Sequence, residues 1–71
     1  MTDEQLLQNK KCDAFRRSAN RMERANAGSF AIAIAQAYYY ADLNNAKRLE
    51  ESFSDLFQRF MSPEELNLFK A

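Results

Sequence analysis

Between Ser29 and Asp42 the chain carries no charged side chain; the run reads Phe30-Ala31-Ile32-Ala33-Ile34-Ala35-Gln36-Ala37-Tyr38-Tyr39-Tyr40-Ala41. The Phe30/Ile32/Ile34 alternation is that of a half-buried strand. Against this, the alanines between them are the best helix formers and are depleted in strands. No second strand is available to pair with the run. The spacing therefore predicts a helix, and a helix apolar nearly all the way round calls for burial nearly all the way round. The run is too short to cross a bilayer, which takes roughly 20 residues, and Gln36 and three tyrosines interrupt it.

A chain of 71 residues has trouble supplying that burial. It is long enough for one domain, residues 1–71, whose small core only narrowly offsets the entropy of ordering the chain. Cys12 is the only cysteine and there is no histidine, so neither a disulfide nor a zinc site can staple the fold. Close helix packing or oligomerisation remains, and a homodimer or higher oligomer is expected. One glycine and one proline argue for long uninterrupted helices. A net charge of zero counts against a dedicated nucleic-acid binder. The polar, acidic start predicts no export signal, and with a lone thiol the expected location is the cytoplasm, with no membrane partner.

Local signals divide the chain into an all-α bundle of three to four helices. Thr2-Asp3-Glu4-Gln5 reads as a capping box, opening a long amphipathic helix that runs to about Asn26. Leu7, Ala14, Phe15, Ser18, Ala19 and Met22 fall on its apolar side. Gly28 is placed to close it in the left-handed conformation and Ser29 to cap the next helix, which makes an antiparallel hairpin. Asp42 or Asn44 is the next cap. A third helix, about Asn45 to Met61, carries Leu49, Phe53, Leu56, Phe57 and Phe60, with Ser52 and Ser54 able to bend it at Phe53. Ser62-Pro63-Glu64-Glu65 restarts a short last helix: Ser62 caps, Pro63 takes the first position, and Glu65 completes the capping box. Leu66, Leu68 and Phe69 would pack back on the bundle.

The chemistry that these residues exclude is broad. Acid–base catalysis near neutral pH needs histidine or a carboxylate tuned by its surroundings. There is no histidine, and Glu50-Glu51 and Glu64-Glu65 project onto solvated faces. Cys12 sits at the edge of the apolar side of the first helix beside Lys10 and Lys11, without a base partner. One glycine cannot make a phosphate-cradling loop, and no metal or cofactor motif is present. The expectation is a protein that is not an enzyme, with no cofactor and no metal.

Two surfaces are candidates for binding. Phe30, Ile34, Tyr38 and Tyr39 on the second helix form the candidate self-association surface, since tyrosine suits interfaces. Three consecutive tyrosines on a helix point in three directions and cannot all face one core. Lys10, Arg17, Arg21 and Arg24 line one arc of the first helix and form a candidate basic contact face for phosphates or an acidic partner. The plainer account is a solvated face with pairs such as Asp13–Arg17. A helix-turn-helix is the alternative: its recognition helix would start at Asn44-Asn45-Ala46-Lys47-Arg48. The Glu50-Glu51 and Asp55 that follow would repel a phosphate backbone.

The stretch Asn45-Ala46-Lys47-Arg48-Leu49-Glu50-Glu51-Ser52-Phe53-Ser54-Asp55-Leu56-Phe57-Gln58-Arg59-Phe60, about a quarter of the chain, resembles the C-terminal part of small all-helical accessory proteins of temperate lambdoid tailed phages. Those read Asn-Ala-x-Arg-Leu followed by Phe-x-x-Leu/Ile-Phe, often with proline after the first Phe, where this chain has Ser54. The resemblance implies a non-catalytic accessory protein that tunes phage development by binding a host or phage protein in the bacterial cytoplasm. It carries over no site residue.

Overall fold

The computed structural model describes residues 2–69, which form α1 (Asp3–Arg24), α2 (Ser29–Tyr40), α3 (Leu43–Ser52), α4 (Ser54–Arg59), α5 (Pro63–Leu66) and a closing 3-10 turn (Asn67–Phe69). No strand occurs among the described residues, and the all-α bundle is as expected. The third expected helix is divided at Phe53, whose backbone leaves the helical region (φ −122°, ψ 28°). Its N–H still donates to the Leu49 carbonyl and its carbonyl accepts from Phe57, so the chain bends there without losing those bonds.

The start signals act as read. Thr2 accepts from the Gln5 N–H while the Gln5 side chain accepts from Thr2. Ser62 and Glu65 make the same reciprocal pair, with Pro63 at the first helical position. Between Asp42 and Asn44 as candidate caps, Asp42 does the work, accepting from the Asn45 N–H at 2.8 Å. The turn after α1 corrects the expectation in two places. The left-handed residue that closes α1 is Asn26 (φ 50°): its N–H reaches the Glu23 carbonyl and the Ala27 N–H reaches that of Met22, the two bonds of a Schellman motif. Gly28, at φ 105°, instead stands at the N-cap position of α2, where it offers no side-chain cap, and Ser29 is already helical.

The hairpin is antiparallel: Met22 meets Ala27 at the turn, and the Phe15 and Tyr38 rings meet at the far end, 6.4 Å apart. Alanines make this contact close. Ala14 and Ala19 on α1 and Ala31 and Ala35 on α2 are all buried. Phe15 is the hub of the core, packing edge-on against Phe57 and Phe69 with ring centroids 5.3 Å away in each case. Met22, Phe57 and Met61 complete it, with Leu66, Leu68 and Phe69 packed against it as anticipated.

Burial on α1 begins only at Lys11, and residues 2–10 are exposed throughout. Leu7, expected on the apolar stripe, is exposed because α2, α4 and the closing 3-10 turn, which pack on α1, reach it only from Lys11 onward. At 1.5 Å per residue α1 is about 33 Å long, which sets the long dimension of a 37 × 27 × 18 Å molecule. No helix among the described residues is long and apolar enough to cross a membrane.

Candidate functional site

The uncharged helix α2 is two-sided. Ala31, Ala35 and Tyr38 face α1 and are buried, and Ile34 is half-buried beside them. The opposite side, with Phe30, Ala33, Ala37 and Tyr40, stays exposed. Phe30 is 61% exposed, with one edge against Phe53 at 5.7 Å, and Tyr40 is 90% exposed. Leu43, the first residue of α3, is 75% exposed and borders the other flank, beside Tyr38 and Tyr39. The expectation of burial on every face therefore fails within one chain: α1 covers one flank of α2, α3 another, and Phe57 of α4 reaches only Tyr38. A shallow groove of about 390 Å³ runs along the bare side between Ala37, Tyr40, Ala41, Asn45, Arg48 and Leu49.

The three tyrosines do point three ways. Tyr38 is buried, and this removes it from the self-association surface on which it was placed. Its ring packs at a tilt against Phe57, centroids 5.4 Å apart, and its hydroxyl donates to Glu50 Oε2 at 2.7 Å. Burial first, and then the Glu50 carboxylate, push that hydroxyl far above its ordinary range, so it remains a donor. Tyr39 leans over α1 in a groove of about 480 Å³ with Asp13, Arg16, Arg17 and Asn20. Partial burial and Glu23 raise its pKa. Of the four residues named for self-association, Phe30 lies on the open apolar side, Ile34 beside it, Tyr39 on another flank and Tyr38 inside.

The basic face is partly consumed by the fold. Arg21 donates to Glu65 Oε1 at 2.5 Å and to the Phe60 carbonyl at 2.8 Å. Arg17 stands 3.9 Å from Glu65 Oε2. Lys10 and Arg24 are exposed. Arg21 is thereby corrected from a contact residue to a structural one, tying α1 to the start of α5. Two carboxylates are corrected with it: neither Glu50 nor Glu65 is on a solvated face. Glu65 is 7% exposed. Burial pushes its carboxyl up, but the Ser62 N–H and the Arg21 guanidinium more than offset this and hold it below the usual carboxylate range. Its Oε2 has no hydrogen-bond partner among the described residues. The capping-box spacing was the signal that could have found Glu65, because a third-position carboxylate turned back toward its cap also turns toward the body of the protein.

Among the described residues no cluster of His, Cys, Asp or Glu could hold a metal ion. Cys12 is half-buried and lines a groove of about 390 Å³ with Arg16, Tyr38, Tyr39, Leu43 and Glu50, where the Tyr38 hydroxyl and Glu50 are already committed to each other. Asn44, Asn45, Lys47 and Arg48 are exposed on α3, a helix of ten residues. Compared with known proteins, the chain matches no family model, no curated protein and no solved structure.

Proposed function

We propose that the protein is a non-catalytic, self-associating helical module that works by protein–protein contact. The observation that carries this reading is the distribution of exposed large apolar side chains. Of the six among the described residues, Phe30, Tyr39, Tyr40 and Leu43 lie on α2 or at the first residue of α3, in a stretch whose helix has no charge at all. Phe30 and Tyr40 share the bare side of α2, while Tyr39 and Leu43 border the groove on its other flank, and exposed apolar surface gathered in this way marks interaction sites. The total surface supports the same reading. The chain exposes 5229 Å², about 650 Å² above the ~4,600 Å² expected of a compact monomer of its mass. Part of that excess comes from the projecting start of α1, where Leu6 and Leu7 are also exposed.

A role as a phage accessory protein acting on a host or phage partner in the cytoplasm is consistent with this design and rests on the resemblance at Asn45–Phe60 alone. The helix-turn-helix alternative draws on the exposed Asn44, Asn45, Lys47 and Arg48. It is disfavoured by zero net charge and by the loss of Arg21 to Glu65. Sedimentation at micromolar concentration tests the main reading: a dimer or larger species is expected, and a monomer throughout overturns it. Salt-sensitive duplex DNA binding that is lost on charge reversal at Lys47 and Arg48 would favour the alternative.

A further inference from the structure

We infer that α2 pairs with α2 of a second copy in an antiparallel, twofold arrangement in which Phe30 meets Tyr40 and Ala33 meets Ala37. This deepens the self-association reading and rests on it. The exposed stripe Phe30, Ala33, Ala37, Tyr40 has steps of three, four and three residues, which at 100° per residue confine it to an arc of about 80° on one side of the helix. Both the spacing and the order of sizes (large, small, small, large) read the same in either direction. A surface that is unchanged on reversal fits a reversed copy of itself, which is the requirement of an isologous twofold contact.

The side chains suit that occupant. The two alanines at the centre let the backbones approach closely, as Ala14, Ala19, Ala31 and Ala35 already do between α1 and α2 inside the chain. The aromatic rings at either end, about 15 Å apart along the helix, then cover the flanks of the contact. A parallel copy would set Tyr40 on Tyr40 and Phe30 on Phe30, using the stripe without its reversal symmetry.

The charges agree. Arg48 lines the groove beside Ala37 and Tyr40, and Glu51 follows on the same exposed side of α3, toward the end that reaches Phe53 and hence Phe30. Reversal brings the Arg48 end of one copy to the Glu51 end of the other, an opposite-charge rim around an uncharged centre, as interfaces are built. A standard interface takes about 800 Å² from each partner. The excess surface of this chain, of which the start of α1 holds a part, is somewhat below that.

The test uses cysteine pairs in the full chain with Cys12→Ser. Ala33→Cys and Ala37→Cys chains are prepared separately, checked for unchanged helicity by circular dichroism, and oxidised alone and as an equimolar mixture. A disulfide requires Cα atoms within about 7 Å. The expected result is a covalent dimer in the mixture only, joining position 33 to position 37 and taking up to about half of the protein, the share for random pairing of two chains in a twofold dimer. Disulfides of 33 with 33 and 37 with 37 would mean a parallel pair and overturn this arrangement while leaving self-association intact. No disulfide in any sample, with a dimer still present in sedimentation of the reduced protein, would place the interface elsewhere and also overturn it. A monomer in sedimentation of the unaltered chain would overturn both this arrangement and the reading beneath it.

Discussion

Two parts of the molecule pack on the same face of α1, and they are held there by opposite means. The C-terminal part, Ser54–Phe69, consists of helices of six and four residues and a 3-10 turn, all far below the length at which a helix holds itself together in water. It is fastened by polar bonds to fixed points: the Ser18 hydroxyl donates to the Phe57 carbonyl, and Arg21 clasps both the Phe60 carbonyl and Glu65. Helix α2, at twelve residues, has side-chain ties only near its C-terminal end, from Tyr38 to Glu50 and from Tyr39 to Glu23, and otherwise relies on alanine-to-alanine closeness. Short elements need specific anchors because they lose their structure when they leave the core. A longer alanine-rich helix needs only a flat surface, and for that reason its far side can stay bare and available.

The comparison breaks first, and most severely, at Phe57, which is fully buried where α1, α2 and the C-terminal part meet. Phe57→Ala is expected to cost about 3–5 kcal/mol, which a chain this small cannot spare; thermal denaturation followed by circular dichroism should find little cooperative folding left. Arg21→Ala comes next. It strands a buried carboxylate, and a loss on the order of 1.5–3 kcal/mol in urea titration is expected. Replacing Glu65 by Leu in the same chain should recover much of that loss, since the uncompensated charge is then gone.

Acid should act on the C-terminal fastening and spare α2. Glu65 is held below the usual carboxylate range, so its contribution is complete above the unfolded-state pKa of about 4.3 and disappears as pH falls through the lower folded value. The Tm of the unaltered protein should therefore drop more steeply below pH 4.3 than that of Glu65→Gln, which begins lower and titrates less. The smallest effect on the fold is expected at Tyr40, exposed and without a hydrogen bond among the described residues. Tyr40→Ser should move stability by no more than about 0.5 kcal/mol yet weaken self-association roughly tenfold in sedimentation, as loss of an aromatic anchor does. Equal effects on both would erase the distinction between the anchored and the bare region.

Much of the helix plan was legible in the residues because its signals are local. Thr2, Asp42 and Ser62 cap within three residues of themselves, and the stripe from Ala14 to Met22 follows from helical spacing alone. The failures are of another kind. Asn26 took the closing role expected of Gly28, and Gly28 the cap position expected of Ser29, because two residues near a helix end can each take a left-handed backbone and the Ala27 contact with Met22 decides between them. Glu50 and Glu65 were misplaced because a helical projection assigns a carboxylate to a face without knowing which element arrives there. Tyr38 was misplaced for the same reason, since three adjacent tyrosines look alike until α1 and α3 take their positions.

The uncharged run Phe30–Ala41 draws the same line. Its residues alone determined that it is a helix, that it is too short for a bilayer, and that it carries more apolar surface than a chain of this size can easily cover. Only the tertiary structure decided which side is spent on the core and which is left open. That choice depends on where α1 and the alanines on it present a surface flat enough to approach, and on α3 stopping short of Phe30, Ala33, Ala37 and Tyr40. Hydrophobic burial has no direction of its own; the geometry of the neighbours supplies it.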